Sequence, residues 1–130
     1  LHWMVRRQRQ MCIRDRASEA YSNLAKLLKK EGRLEEAIAH YQKAIELEAN
    51  NSSNYSSLGW IFLQKGQIDL AIINYKKSRE INPDNLRTNL NLGFAWQKKG
   101  DLSKASTYYQ QAIKIDPNFA EAWYDLGIIL

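Results

Sequence analysis

The chain of 130 residues has one cysteine, two histidines, two prolines and no long apolar run. Cys12 alone cannot form an internal disulfide, and no cluster of cysteine and histidine has the spacing of a metal site. No segment approaches the roughly 18 consecutive apolar residues that a transmembrane helix requires, and the first residues lack the pattern of a secretory signal. We therefore expect no metal, no cofactor, no membrane partner and a reducing, cytoplasmic location.

The net charge of +5 is concentrated at the amino terminus. Residues 1–16 carry five arginines against one aspartate, a net +4, whereas residues 17–130 carry 14 basic and 13 acidic side chains, a net +1. A basic patch is the electrostatic signature of a nucleic-acid binder, but here the charge lies outside the main body of the chain. This distribution argues against nucleic acid as a partner.

Residues 1–17 form a basic, glutamine-rich tail. The tail could extend a helix, stay disordered, or act as an arm for an anionic partner. Another interpretation rests on residues 11–16, because Met-Cys-Ile-Arg-Asp-Arg resembles a translated sequencing-adapter remnant that recurs at the ends of proteins predicted from assembled reads. We favour that interpretation for residues 1–16, and it separates the tail from the domain over residues 18–130.

The rest of the chain repeats with a period of 34 residues, and all six glycines fall in two columns of this frame. The columns hold Gly59, Gly93 and Gly127; Gly32, Gly66 and Gly100; and the prolines Pro83 and Pro117. The frame predicts units over residues 18–51, 52–85 and 86–119, with a partial unit over 120–130. Such a period is typical of a stacked-repeat architecture.

Apolar residues recur at three- and four-residue steps within each unit, which predicts two amphipathic helices per unit. The predicted apolar faces include Tyr21, Leu24, Ala25 and Leu28; Leu58 and Phe62; and Leu102, Ala105 and Tyr109. Gly32, Gly66 and Gly100 are predicted to end the first helices, since glycine tolerates positive φ. The prolines are predicted to end the second helices, and Asp84, Asn85 and Asn118 are candidate caps for the next ones.

The glycines in the other column lie inside predicted helices, where glycine costs about 1 kcal/mol relative to alanine. Their recurrence requires a packing reason. Tyrosines recur with the same period in the second helices, as Tyr41, Tyr75 and Tyr109. We expect these rings to occupy the space that the missing side chains leave.

These positions resemble the tetratricopeptide repeat, a helix–turn–helix unit of the same length. The matching residues are Leu58-Gly59, Ala71, Tyr75 and Pro83 in one unit, Leu92-Gly93, Ala105, Tyr109, Ala112 and Pro117 in the next, and Trp123, Leu126 and Gly127 in the partial unit. The departures are Ala25 for glycine, Ala49 for proline, Asn89 for the first aromatic residue and Ser78 for alanine. The resemblance implies an all-α superhelix, a solenoid whose first helices line a concave groove.

The groove residues that the resemblance implies are the first-helix positions that the core does not require. Position six of the units holds Asn23, Ser57, Asn91 and Asp125, and position nine holds Lys26, Trp60, Phe94 and Ile128. Side-chain amides both donate and accept hydrogen bonds, so position six could pair with the backbone of an extended peptide. Trp60 and Phe94 could grip a partner's side chains, or pack between neighbouring first helices.

Chaperone-binding members of this family hold a C-terminal carboxylate with Lys, Asn and Arg residues on successive first helices. This sequence offers Asn91 and Arg87 but has Ser22, Lys26 and Ser57 where that set expects Lys, Asn and Asn. The comparison argues against a receptor for chaperone tails. Position six is closer to the asparagine-lined groove of repeat regions attached to O-linked N-acetylglucosamine transferases.

No catalytic constellation is apparent in the sequence. His40 lies off the predicted apolar face, with no serine or cysteine known to be beside it, and the glutamates around it belong to a charged helix face. We therefore expect a non-enzymatic module that binds a protein or peptide ligand. The alternatives are the repeat region of a larger enzyme, such as an O-GlcNAc-type glycosyltransferase with its catalytic domain outside this segment, and a structural spacer.

The sequence ends at Leu130, halfway through a unit. The last helix is therefore expected to lack a partner, which would leave Trp123, Leu126 and Leu130 partly exposed. Terminal repeats normally need a polar outer face for solubility. We accordingly expect marginal stability or self-association through this helix.

Overall fold

A computed structural model describes residues 1–129, which form seven helices and no strand. The helices are α1 (His2–Lys30), α2 (Leu34–Leu47), α3 (Ser52–Gln64), α4 (Ile68–Ile81), α5 (Leu86–Lys99), α6 (Leu102–Ile115) and α7 (Ala120–Ile129). First and second helices alternate along the chain with short turns between them. The prediction of an all-α helical repeat is confirmed.

The chain divides into two compact units, Leu1–Asn54 and Tyr55–Leu130. In the first unit α1 packs on α2, and in the second α5 packs on α4 and α6 while α7 packs on α6. Helices that are joined by short turns become antiparallel neighbours. The packing within each unit is therefore mostly between elements that follow one another in sequence.

The turn after each first helix is built on a glycine with a left-handed backbone. Gly32, Gly66 and Gly100 have φ values of 78°, 76° and 93°. At Gly100, the amide of Asp101 donates to the carbonyl of Trp96 at 3.0 Å, and the same bond recurs after the other two glycines. This geometry satisfies carbonyls that the end of a helix leaves free, and it confirms the predicted ends.

The helical glycines allow close packing against tyrosine rings. Tyr75 and Tyr109 are fully buried. A Cβ atom placed on Gly59 would lie 2.8 Å from Cδ1 of Tyr75, and one on Gly93 would lie 2.5 Å from Cε1 of Tyr109. A Cβ on Gly127 would meet no described atom within 4 Å. The predicted packing reason is thus confirmed at Gly59 and Gly93.

The second helices end where the prolines predict. α4 ends at Ile81 and α6 at Ile115, each two residues before a proline. Asn85 caps α5, since its side chain accepts a hydrogen bond from the Thr88 amide at 3.0 Å. Of the candidate caps at this junction, Asn85 rather than Asp84 makes the bond.

Three predictions of burial are wrong. Leu24 and Leu102 are 44% and 48% exposed, whereas Leu126 is only 7% exposed. Leu24 lies outside the buried stripe of α1, which is built from small residues and Leu28, and Leu102 is the first residue of α6, one turn before its buried stripe. Trp123 is 54% exposed, as predicted, and Leu130 lies outside the described residues.

The basic tail is helical. α1 runs without a break from His2 to Lys30, and residues 1–16 are exposed along their whole length. The structure therefore contradicts the interpretation of a disordered end, while the origin of these residues remains a prediction. Over residues 1–129, no helix combines the length and the apolar character that crossing a membrane demands.

Candidate functional site

The predicted groove residues of α5 and α7 form matched stripes. Positions two, six and nine are spaced by four and three residues, which places them on one face of a helix. The stripes are Arg87, Asn91 and Phe94 on α5, and Glu121, Asp125 and Ile128 on α7. Arg87 Nη1 donates to Glu121 Oε2 at 3.5 Å, so the two stripes meet at position two. Asn91 and Asp125 follow one turn later on the same side of both helices.

The residues at position six have unused hydrogen-bonding capacity. Ser57, Asn91 and Asp125 are half-buried, and Asn23 is exposed. Within residues 1–129, none of these four side chains has a hydrogen-bond or ion-pair partner. A half-buried amide, hydroxyl or carboxylate that lacks a protein partner must be satisfied by water or by a ligand.

The residues at position nine expose apolar surface. Trp60, Phe94 and Ile128 are 38%, 40% and 57% exposed. Lys98 places its Nζ atom 5.3 Å from the centroid of the Phe94 ring, which covers part of that ring with a cation. Trp60, Phe94 and Ile128 are thus not fully covered by packing within the protein, and each has apolar surface that a partner could contact.

The electrostatics of the α5–α7 surface differ from those of a carboxylate clamp. Arg87 is engaged by Glu121 and also lies 5.8 Å from the centroid of the Phe119 ring. Burial, and then repulsion by Glu121, raise the pKa of Asp125. Burial, and then the negative charge of Asp125, raise the pKa of Tyr109. The surface thus holds two carboxylates and a single arginine that is already paired.

Asn23 lines a separate polar cavity in the Leu1–Asn54 unit. The cavity has a volume of about 390 Å³, and Glu19, Lys26 and Glu48 are among its walls. Asp15 also lines it, so three carboxylates stand against one lysine. This excess of negative charge favours cationic groups and hydrogen-bond donors over anions.

The sequence did not identify two further polar contacts. Ser22 Oγ donates to Asn54 Oδ1 at 2.7 Å, and Asn54 is buried. Arg79 Nε donates to the oxygen of the fully buried Asn89 at 2.9 Å. One sequence feature pointed to the contact between Arg79 and Asn89. Asn89 is polar at a position where the other repeats have an aromatic residue.

His40 contacts its own helix and a neighbouring aromatic ring. His40 places Nδ1 2.8 Å from the carbonyl oxygen of Glu36, and its ring lies 6.0 Å from that of Tyr21. No group of three His, Cys, Asp or Glu side chains within residues 1–129 could hold a metal ion. His40 thus has the surroundings of a surface histidine that is bonded to its own helix.

Two protein-family models together match most of the chain. A family model described as tetratricopeptide repeat matches residues 15–84, and a second, described as TPR repeat, matches residues 97–130. No curated protein matches.

Solved structures share the fold at low sequence identity. The Arabidopsis OM64 TPR domain is 21% identical over 89% of this chain and 96% of its own, with a TM-score of 0.84. The first TPR domain of Spaghetti (RPAP3), solved with an HSP90 peptide, is 18% identical over 88% of this chain and 91% of its own, with a TM-score of 0.85. A structure of MamA is 23% identical over 86% and 66%, with a TM-score of 0.83.

Proposed function

The chain belongs to the tetratricopeptide repeat family, and from this premise we propose that it is a protein-interaction module that binds an extended peptide or a partner protein. The binding surface on the Tyr55–Leu130 unit comprises positions six and nine of α3, α5 and α7. One observation carries the proposal: within the described residues, the side chains of Ser57, Asn91 and Asp125 have no hydrogen-bond partner and stand beside exposed apolar residues.

The chemistry of these positions suits an extended backbone. Such a backbone presents an amide and a carbonyl at every residue, and neither is satisfied by the peptide itself. Asn91 can both donate and accept, the Ser57 hydroxyl can do the same, and the Asp125 carboxylate accepts from peptide amides. Trp60 and Phe94 supply apolar contact area for side chains of the peptide.

The ligand we expect is a peptide bound along its backbone, not one held by a terminal carboxylate. The TPR domain of Spaghetti shares the fold and was solved with an HSP90 peptide. In this chain, Arg87 is paired with Glu121, and Ser57 stands where the clamp would require an asparagine. Both features weaken an anion clamp while leaving backbone recognition possible.

Substitutions at position six test the proposal on a peptide selected from a random library. A neutral hydrogen bond contributes roughly 0.5–1.5 kcal/mol, so Asn91→Ala should weaken binding by about tenfold or less. Changing Ser57, Asn91 and Asp125 together to alanine should nearly abolish a micromolar interaction, as measured by isothermal titration calorimetry. The matched control is Asn74→Ala, because the Asn74 amide donates to its own helix at the Leu70 carbonyl.

A triple variant that binds as tightly as the parent would show that position six is not the peptide surface. If Asn74→Ala weakens binding as much as Asn91→Ala does, the effect is one of stability and not of contact. Circular dichroism of each variant separates these two cases.

Self-association through α7 is the second interaction we propose for this chain. Trp123, Tyr124 and Ile128 are 54%, 70% and 57% exposed, so one helix face presents three large apolar side chains. Light scattering across a concentration series checks it, and a monomer at all concentrations contradicts it. No observation among residues 1–129 favours the alternative of a glycosyltransferase.

A further inference from the structure

We propose that the Tyr55–Leu130 unit carries a second binding site, a pocket around Arg79 that accepts the carboxylate of an aspartate or glutamate side chain from a partner protein. The pocket has a volume of about 480 Å³. Its walls come from the last turns of α4 and α6 and from the turn between α4 and α5. They are Arg79, Pro83, Asp84, Gln111, Lys114 and Ile115.

Two paired departures from the repeat frame create the pocket's central group. Arg79 stands where the neighbouring units have Ile45 and Ile113, and Asn89 stands where they have Tyr55 and Trp123. The two departures are bonded to each other, since Arg79 Nε donates to Asn89 Oδ1 at 2.9 Å. At the junction of the repeats 52–85 and 86–119, a hydrogen-bonded polar pair therefore replaces an apolar and an aromatic residue.

The backbone fixes the orientation of the Asn89 amide. Its Nδ2 atom donates to the carbonyls of Pro83 at 3.1 Å and Asn85 at 2.9 Å. In the next unit Trp123 donates to the carbonyl of Pro117 at 2.8 Å, which is the same bond one repeat later. Asn89 thus keeps the hydrogen bond of the aromatic residue, and its oxygen is left to receive Arg79.

Arg79 is held in place before any ligand arrives. Its Nε is bonded to Asn89, and the guanidinium carbon lies 5.6 Å from the centroid of the Tyr108 ring. Among residues 1–129 no carboxylate pairs with Arg79, and its two terminal nitrogens have no hydrogen-bond partner. A guanidinium that is positioned in this way loses little freedom when it binds an anion.

Packing alone does not explain the pair. A buried polar or charged pair seldom stabilises a fold more than apolar residues of similar volume do. The neighbouring units show that isoleucine and an aromatic residue occupy these positions in this architecture. Binding of a ligand to the free terminal nitrogens of Arg79 would explain why the polar pair is present where packing does not require it.

The charge balance selects a monoanion. Arg79 and Lys114 are cationic and Asp84 is anionic, so the pocket carries a net +1. A carboxylate would neutralise the pocket, whereas a dianionic phosphate would leave a net negative charge beside Asp84. A carboxylate also accepts two parallel hydrogen bonds from a guanidinium. Pro83 and Ile115 offer apolar walls for the methylene groups of the incoming side chain.

This site is independent of the proposed peptide surface. Its residues lie on α4, α6 and the turn after α4, whereas the peptide surface lies on α3, α5 and α7. Loss of one activity therefore leaves the other testable.

The test is a titration of the full chain, followed by NMR, with two probes that differ only in charge. N-acetyl-glutamate amide should shift the Arg79 Nε–Hε and Gln111 side-chain resonances saturably, with a dissociation constant in the millimolar range. N-acetyl-glutamine amide should leave both resonances in place. Inorganic phosphate should bind more weakly than the glutamate probe.

Three variants make the assignment specific. The double variant Arg79→Ile with Asn89→Tyr copies the residues found 34 positions earlier, Ile45 and Tyr55, so it should fold and should bind at least tenfold more weakly. Asp84→Asn should tighten binding because it removes the repelling charge. The control Lys77→Ala removes an exposed charge from the same helix and should leave the affinity within twofold.

Unshifted Arg79 and Gln111 resonances at saturating glutamate probe would overturn the site. Equal binding by the folded double variant would do the same. A tighter response to phosphate than to the glutamate probe would overturn the carboxylate assignment.

Discussion

Replacing Gly93 with alanine is expected to destabilise the protein, although alanine is the better helix former. A Cβ atom at this position would lie 2.5 and 2.6 Å from two carbons of the Tyr109 ring, about 1 Å closer than ordinary van der Waals contact. The ring has no room to withdraw, because Tyr109 is fully buried and its hydroxyl donates to Gln97 Oε1 at 2.7 Å. The new methyl group must therefore displace a side chain that is held at both ends.

The magnitude follows from two opposing contributions. Overpacking of a well-packed core costs about 1–3 kcal/mol, and an overlap of this size belongs at the upper end. The gain in helix propensity from glycine to alanine is about 1 kcal/mol. We expect a net loss of about 2 kcal/mol in the free energy of unfolding for Gly93→Ala, which lowers the melting temperature by about 6–8 °C for a domain of this size.

Gly127→Ala is the matched control, because it makes the same change in the same column where no described atom lies within 4 Å of the new methyl group. It should leave stability unchanged or raise it by up to about 1 kcal/mol. Urea denaturation followed by circular dichroism and by tryptophan fluorescence measures both variants, and coincident curves justify a two-state treatment. If Gly93→Ala is as stable as the parent, the ring of Tyr109 is not fixed and the packing argument fails.

Tyr75→Phe should leave the free energy of unfolding unchanged or raise it by about 1 kcal/mol, because the buried Tyr75 hydroxyl has no hydrogen-bond partner within residues 1–129. Tyr109→Phe should instead lower it by about 1 kcal/mol, since it removes the bond to Gln97; urea titrations that rank the two variants in the opposite order would contradict this. Asp125→Asn should stabilise the protein at pH 7, because burial and Glu121 raise the pKa of Asp125 in the folded state. Because the pKa of Asp125 is raised on folding, its carboxyl group makes its full contribution to the free energy of unfolding below the pKa of the unfolded state. That contribution is lost as the pH rises through the pKa of the folded state. Melting temperatures of parent and variant should therefore converge between pH 7 and about pH 3, and a constant gap would refute the assignment.

The fold could be predicted from the sequence because each repeat carries its own local signals. Gly100 adopts a φ of 93°, a conformation that glycine reaches without strain, so the end of α5 is encoded where it occurs. Pro83 stops α4 because a proline cannot continue a helix. Signals of this kind act within a few residues, and their recurrence identified every helix over residues 18–129.

The candidate site could be predicted only in part. The family resemblance implied that Asn91 and Phe94 line the groove, and their spacing of three residues put them on one face of a helix. The same spacing failed for Leu24, which is exposed, and for Leu126, which is buried. A helical period identifies an apolar face, but whether a side chain on that face is covered depends on the neighbouring helix.

The contacts around Arg79 show where sequence reasoning stopped. The 34-residue frame exposed Asn89 as a departure from the aromatic column. The frame did not show that Arg79 donates a hydrogen bond to the side-chain oxygen of Asn89. Nor did it show that two backbone carbonyls fix the side-chain amide of Asn89. Those bonds connect residues on two helices and the turn between them, so their partners become visible only when the helices are packed.

The sequence by itself determined the repeat length, the helices, their ends and the pairing of glycine with tyrosine, since each of these depends on local conformation or on a periodic pattern. Only the tertiary structure decided which apolar residues are buried, that Arg87 is paired with Glu121, and that Arg79, bonded to Asn89, lines a pocket. The reason is physical. Backbone conformation is set by neighbours along the chain, whereas burial, ion pairing and the shape of a pocket are set by residues that only folding brings together.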